Sequence, residues 1–492
     1  MATAVLNREL AASSAPPARQ VFHAGTMLCG LLVAMFLGRA PLPLQWSCSA
    51  AILACGVYLA GRAPVLALAL LPSAVIIGPV TRLVQGGLGV HLGDAYIILT
   101  GAVIVFAHGA ARPIRLGRYH RSVFCGLFLV ALSWVFSLDR AASAPSIVGI
   151  FELLIVYFLT INVVRSREDI QQILDGWILA ITFGSVLVVV SYLQRTILII
   201  GAEDTVKQNV DSVAGGERSL FRASYFVAGF YHPQACAIAS IVTRLLFPPN
   251  RRVTYKVVML LALFINISCM VLMGSTTIIG VVAFATLLTL LWSFRGEGGA
   301  ARFARAMFVA AVGSTAVAIL LPVLMPRAQL LLLVARLGQH ESLLLRVPVW
   351  LNVIHYLLET PRALLFGIGP DASVRLLDKT SFVWRLFLGG GTQQGAVDNG
   401  YLFILLNYGV LAFLLLMSMI GRLTLRLTRI LMHRVDPLAL EPWLWIVTWA
   451  AISLTQQHGV DKTALLFVQG FALAALLPIG DTPRIPIQPD TP

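Results

Sequence analysis

The segment LLRVPVWLNVIHYLLETPRALLFGIGP at 344–370, continued by GGGTQQGAVDNGYL at 389–402, decides how the rest of the chain is read. It lies in the one long polar interval, from Pro326 to about Asn399, of a sequence otherwise nearly continuous in apolar runs. Outside that interval, stretches of about 20 apolar residues recur, at about 21–38, 43–60, 63–80, 95–111, 122–138, 146–164, 173–198, 226–247, 257–273, 275–294, 306–325, 399–420, 443–458 and 463–479, near the length a helix needs to cross roughly 30 Å of hydrocarbon. Backbone polar groups find no water there, so helices are the economical solution, and the alternating segments of about ten residues that mark a barrel are absent. The fold class that follows is all-α: a polytopic transmembrane helix bundle of about 12–14 spans with a long periplasmic loop containing amphipathic helices.

Composition agrees. The 492 residues are 58% hydrophobic and 12% charged, with a mean hydropathy of +0.86. Soluble domains carry about 25% charged residues. The net charge of +14 would suggest nucleic acid in a soluble protein. Here the basic residues punctuate apolar runs and act as topology signals, so no nucleic-acid partner is implied. The six cysteines fall in or beside expected spans without metal-ligand spacing, which indicates neither a zinc site nor a disulfide framework.

Five regions follow from the pattern: a cytoplasmic tail at 1–20, a bundle at 21–325 with a shorter periplasmic loop at 199–225, the long periplasmic loop at 326–398, C-terminal spans at 399–480, and a cytoplasmic tail at 481–492. Basic clusters such as Arg112, Arg115, Arg118 and Arg121, and Arg422, Arg426, Arg429 and Arg434, all fall on one side when both termini are cytoplasmic. The expected location is a bacterial inner membrane, crossed many times.

The residues able to do chemistry gather around the two outer loops. Arg222 closes the first, in LFRASYFVAGFYHPQACAIAS; Arg346 sits in SLLLRVPVWLNVI; Asp398 and Asn399 open a membrane helix in VDNGYLFILLNYGVLAFLL. A guanidinium offers five fixed donors and a permanent charge, which suits diphosphate oxygens. A carboxylate at the outer mouth of a helix can take a proton from an attacking hydroxyl. Each residue also has a plainer role open to it. Arg222 can snorkel at a span end, Arg346 with Trp350 one turn later can anchor an interfacial helix, and Asp398 with Asn399 can cap a helix. His232 before Pro233 suits a helix start, and Gly367, Gly369 and Pro370 suit a tight turn. Arg375, Lys379 and Arg385 form a basic stretch, either a solvated or lipid-facing patch or a track for a polyanion. Glu152 is the clearest carboxylate within an apolar run, a functional position by default.

The order of these strings resembles a family. Arg222, then G-F-x-H-P-x-x-x-A, then R-x-x-x-W followed by F-G-I-G-P, then D-N-x-Y-L with N-Y-G-V behind it, is similar to the O-antigen ligase and polymerase superfamily of bacterial membrane glycosyltransferases over roughly residues 220–420. The resemblance implies metal-independent glycosyl transfer at the periplasmic face, with no cofactor. The donor would be a glycan on undecaprenyl diphosphate and the acceptor a sugar hydroxyl, with membrane lipids, a flippase and a chain-length regulator as partners. It implies catalytic roles for Arg222 and Arg346 on the donor diphosphate and for Asp398 on the acceptor. Asn399, Tyr401, His232, Trp350, Arg375 and Arg385 would line the substrate. Asp398 stands where ligases of the family carry histidine, which favours a repeat-unit polymerase over a ligase. The sequence departs from the family pattern at His232-Pro233-Gln234, where H/N-P-N is usual, and at Gly274-Ser275-Thr276, where G-S-R is usual. A transporter or flippase of lipid-linked glycans is the alternative from another class.

Overall fold

The computed structural model describes residues 42–77, 92–108, 115–194, 231–247, 253–273, 276–293, 341–370, 372, 399–433, 436–454 and 464–477. The expected spans at 21–38 and 306–325, the loop at 199–225, much of the long loop and both tails lie outside these residues. Fourteen helices, and no strand, occur among the described residues. They are α1 (Leu42–Arg62), α2 (Pro64–Ile77), α3 (Leu92–His108), α4 (His120–Val135), α5 (Arg140–Val163), α6 (Arg167–Gln194) and α7 (Tyr231–Leu246). There follow α8 (Val253–Met273), α9 (Thr276–Ser293), α10 (Glu341–Glu359), α11 (Pro361–Phe366), α12 (Gly400–His433), α13 (Pro437–Ile452) and α14 (Ala464–Leu476). Among the described residues, two stretches are long and apolar enough to cross a membrane: Ser146–Val163 within α5, and α12.

Several helices begin earlier than the apolar runs suggest, because polar residues serve as caps. The run starting near 173 is preceded by Ser166 and Asp169, which cap α6 reciprocally. The Asp169 amide donates to Ser166 Oγ at 3.1 Å, and Asp169 Oδ2 accepts from the Ser166 amide at 2.9 Å. At the other extreme, α12 runs on to His433 and carries Arg422, Arg426 and Arg429 on helix, although the apolar run ends near 420.

The chain divides into two compact units. The first holds residues 1–114 and 162–184, and its core is α2, buried on every side from Leu66 to Leu71 and again at Ala74 and Val75. Small residues let its neighbours approach. Gly93 lies against the Val75 backbone, Gly176 against the Ala69 carbonyl, and the Tyr96 ring covers Gly56 while its hydroxyl donates to the Ala67 carbonyl at 2.9 Å.

The second unit holds residues 115–161 and 185–492. Here α7 packs between α13, α8 and α9, and α12 packs on α4, α11 and α13. The pivot is Trp445 on α13, buried, with Nε1 donating to Ser240 Oγ at 2.8 Å and Gly470 of α14 set against the ring. Next to it lies a buried ion pair. Arg244 of α7 donates from Nε to Glu441 Oε1 at 2.9 Å, with a second nitrogen 3.3 Å from Oε2. Both side chains are 2% exposed.

Several polar side chains of this unit are buried while large apolar ones are exposed. In α4 the fully buried residue is Ser133, while Phe124 and Phe128 are exposed. In α8 Asn266 is buried and Val257, Val258 and Leu261 are exposed; in α9 Thr289 and Ser293 are buried and Phe284, Leu287 and Leu291 are exposed.

Candidate functional site

Two of the motif strings meet. After α11 the chain leaves the helix at Gly367, whose φ of 79° and ψ of 178° belong to a region open only to glycine. Residues 367–370 then bend and turn beside the first half of α12. That helix is broken at Gly409, with φ 79° and ψ 172°. In an unbroken helix the carbonyls of Leu406 and Asn407 would accept from the amides four residues later. Here they accept from the loop: the Ile368 amide donates to the Leu406 carbonyl at 2.9 Å, and the Gly369 amide to the Asn407 carbonyl at 3.1 Å. The backbone groups that a mid-helix break exposes are thus satisfied within the protein, as a low-dielectric interior demands.

The end of α4 completes the junction. Ser133 Oγ donates to the Asn407 carbonyl at 2.6 Å, and the Leu138 amide to the Ile368 carbonyl at 2.9 Å. Ser143 Oγ donates to the Pro370 carbonyl at 2.6 Å and lies 2.8 Å from Ser137 Oγ. Arg362 donates to the Phe136 carbonyl at 2.9 Å and stacks on the Phe136 ring at 4.8 Å. The glycines and Pro370 end α11 and turn as expected, the Ala372 amide donating to the Gly369 carbonyl at 3.2 Å, and they also bridge three helices.

Asn399 sits at the start of α12 as a cap. Its Oδ1 accepts from the Leu402 amide at 3.0 Å, and its Nδ2 donates to the Leu454 carbonyl at 3.2 Å. The Tyr401 hydroxyl donates to the Ala450 carbonyl at 2.8 Å, and its ring meets those of Trp449 and Phe413 edge-on. Both residues fasten the first turn of α12 to the last turns of α13. His232, at the start of α7, is 1% exposed, with Nε2 3.1 Å from the Trp445 carbonyl and 3.2 Å from Cys236 Sγ. Two residues on, Gln234 Nε2 donates to the Asn266 carbonyl at 3.1 Å.

One rail collects these residues. His232, Tyr401 and Asn399 contact α13 and its end at Trp445, Ala450 and Leu454. At about 1.5 Å per residue the three contacts fall within about 14 Å along the chain axis. Arg346 and Trp350 belong to α10, which packs on α12. Trp350 joins the cluster of Val353, Leu357, Ala363, Ile368 and Leu406, to which Leu402 and Leu405 also pack. Its indole Nε1 is buried without a partner among the described residues. His355 is exposed on the other side of α10, 3.5 Å from Glu359. Arg222, Arg375, Lys379, Arg385 and Asp398, and so the whole basic stretch, lie outside the described residues. Glu152 is buried in α5.

Three features escaped sequence reasoning. The break at Gly409 is invisible because the apolar run through 399–420 is unbroken. The Arg244 to Glu441 pair joins residues 197 positions apart. The available signal was Glu441 itself, a carboxylate directly before Pro442 and an apolar run. Third, Arg426, read as a loop residue, is 8% exposed and donates to the Ala475 and Leu477 carbonyls at the end of α14. No family model matches the chain, and a search of curated proteins finds no match.

Proposed function

We propose that the chain is an inner-membrane glycan polymerase that joins undecaprenyl-diphosphate-linked repeat units at the periplasmic face. The observation that carries this reading is the junction of F-G-I-G-P with N-Y-G-V. The two strings on which the family resemblance rests hold each other through paired backbone hydrogen bonds. Beside that junction Trp350 of α10 packs with Ile368, Leu402, Leu405 and Leu406. The large apolar side chains exposed on α4, α8 and α9 support a membrane setting, since lipid tails solvate faces that water would penalise.

In this mechanism Arg346 and Arg222 hold the donor diphosphate and neutralise the charge that develops as it leaves. Asp398 takes the proton of the acceptor hydroxyl, and Asn399, the next residue, caps α12. Undecaprenyl diphosphate is already a good leaving group, so orientation and charge neutralisation supply most of what is needed. One guanidinium contact to phosphate contributes roughly 1.5 to 3 kcal/mol.

The test is elongation of lipid-linked repeat units by the purified protein. Arg346→Ala is expected to abolish elongation while leaving the protein folded, and full elongation by this variant would remove the central claim. Polymer still attached to undecaprenyl diphosphate identifies a polymerase; transfer to lipid A core or another acceptor identifies a ligase of the same superfamily. The broken α12 favours one further reading, a transporter of lipid-linked glycans, because discontinuous helices line such sites. That reading requires substrate movement between leaflets with no change in covalent product.

A further inference from the structure

The helix α10 has three sides. Val353 and Leu357 are buried, and with Trp350 and Tyr356 they pack on Ile368 and on Leu402, Leu405 and Leu406 of α12. Val347, Leu351, Ile354 and Leu358 form a second apolar stripe, and this one is exposed: Leu351 is 59% accessible and Leu358 68%. At 3.6 residues per turn the four fall within about 60° of one another and run for about 16 Å along the helix. His355 and Glu359, an exposed pair 3.5 Å apart, lie along one edge of the stripe. The protein face lies along the other.

Single exposed leucines are ordinary, but four in one stripe mark a surface that meets something apolar. Two observations say what it meets. The first is the company α10 keeps. It packs on the first two turns of α12, one of the two stretches among the described residues long and apolar enough to cross a membrane. With α12 across a membrane, α10 lies beside turns that stand in hydrocarbon, and α12 itself exposes Leu411 and Leu414 just beyond them.

The second is the order of the faces. A helix lying along a bilayer surface turns one apolar side to the acyl chains and an adjoining polar side to water. A surface that docks a protein has a polar rim around its apolar centre. In α10 only one edge is polar, and the helix, 19 residues long, is not among the stretches able to cross. We infer that the face formed by Val347, Leu351, Ile354 and Leu358 is a lipid-contact surface, which seats α10 in one leaflet with His355 and Glu359 turned to water. The contact stands independently of the glycan reading.

The experiment uses the full chain in vesicles of phosphatidylethanolamine and phosphatidylglycerol, with the photoreactive residue p-benzoylphenylalanine placed singly at Leu351, Leu358, Glu359 or Leu414. All four positions are exposed, so the new side chain displaces no packed neighbour. After irradiation, mass spectrometry identifies what each position has captured. Phospholipid adducts are expected at Leu351 and Leu358, as at Leu414 on α12, and none at Glu359. Capture of a second copy, or of another segment of the same chain, at Leu351 and Leu358 shows that protein covers the stripe and overturns the proposal. So does phospholipid at Leu414 with none at Leu351 and Leu358. Equal lipid capture at Leu351, Leu358 and Glu359 also overturns it, because the polar edge then does not face water.

Discussion

Gly367 and Gly409 each face the other's backbone: a Cβ on Gly367 would strike the Asn407 carbonyl, and a Cβ on Gly409 would strike the Leu365 carbonyl. Both have φ of 79°. The break in α12 and the turn after α11 are thus one object, each possible only because the other has no side chain.

Gly409→Ala removes that object. Backbone strain alone costs on the order of 1–3 kcal/mol, and the clash with the Leu365 carbonyl adds to it. A fall in the thermal unfolding midpoint and loss of elongation are expected together. Gly421→Ala is the matched control, because it lies in the same helix with open space around it. It should raise stability by about 0.5–1 kcal/mol.

Glu441→Gln leaves Arg244 buried without a counter-charge. Removing one partner of a buried pair typically costs about 3–5 kcal/mol. The double variant Arg244→Met with Glu441→Met should recover most of that loss, since an apolar pair of similar volume is often neutral. Unfolding midpoints of the two single variants and the double variant decide this. A double variant as unstable as the worse single one would show that the pair has a role beyond charge balance.

Asn399→Ala should cost about 1 kcal/mol through loss of the cap on Leu402. Asn399→Asp keeps the acceptor for Leu402 and loses the donor to Leu454, so most of the stability should remain. If elongation by Asn399→Asp falls much further than its unfolding midpoint, the Asn399 to Leu454 tie positions the reacting end of α12.

Asp398→His separates catalysis from capping. The polymerase reading predicts loss of elongation with the fold intact, measured as product length on lipid-linked substrate. Unchanged polymer length would remove Asp398 from the mechanism.

Helix positions were legible because an apolar run of about 20 residues is a local property. The runs read at 43–60, 122–138 and 275–294 match α1, α4 and α9 within a few residues. The ends were less legible. Ser166 and Asp169 are polar, yet they belong to the start of α6 because a cap is made of polar groups. Of the candidate site, Asn399 as a cap was readable from residue type. His232 on Trp445 and Tyr401 on Ala450 were not, because each partner lies on a helix read separately.

By itself, the sequence determined an all-helical chain whose charged residues sit at run ends, and the order of motif strings that suggests a glycosyl transferase. Only the tertiary structure decided that α12 is broken, that F-G-I-G-P repairs the break, and that Arg244 meets Glu441. The reason is physical. Hydropathy and caps act over one or two turns of helix, whereas the Ser133 hydroxyl and the Asn407 carbonyl are 274 residues apart in the chain. A freed carbonyl or a buried guanidinium requires a partner, and nothing local to it says which distant group supplies one.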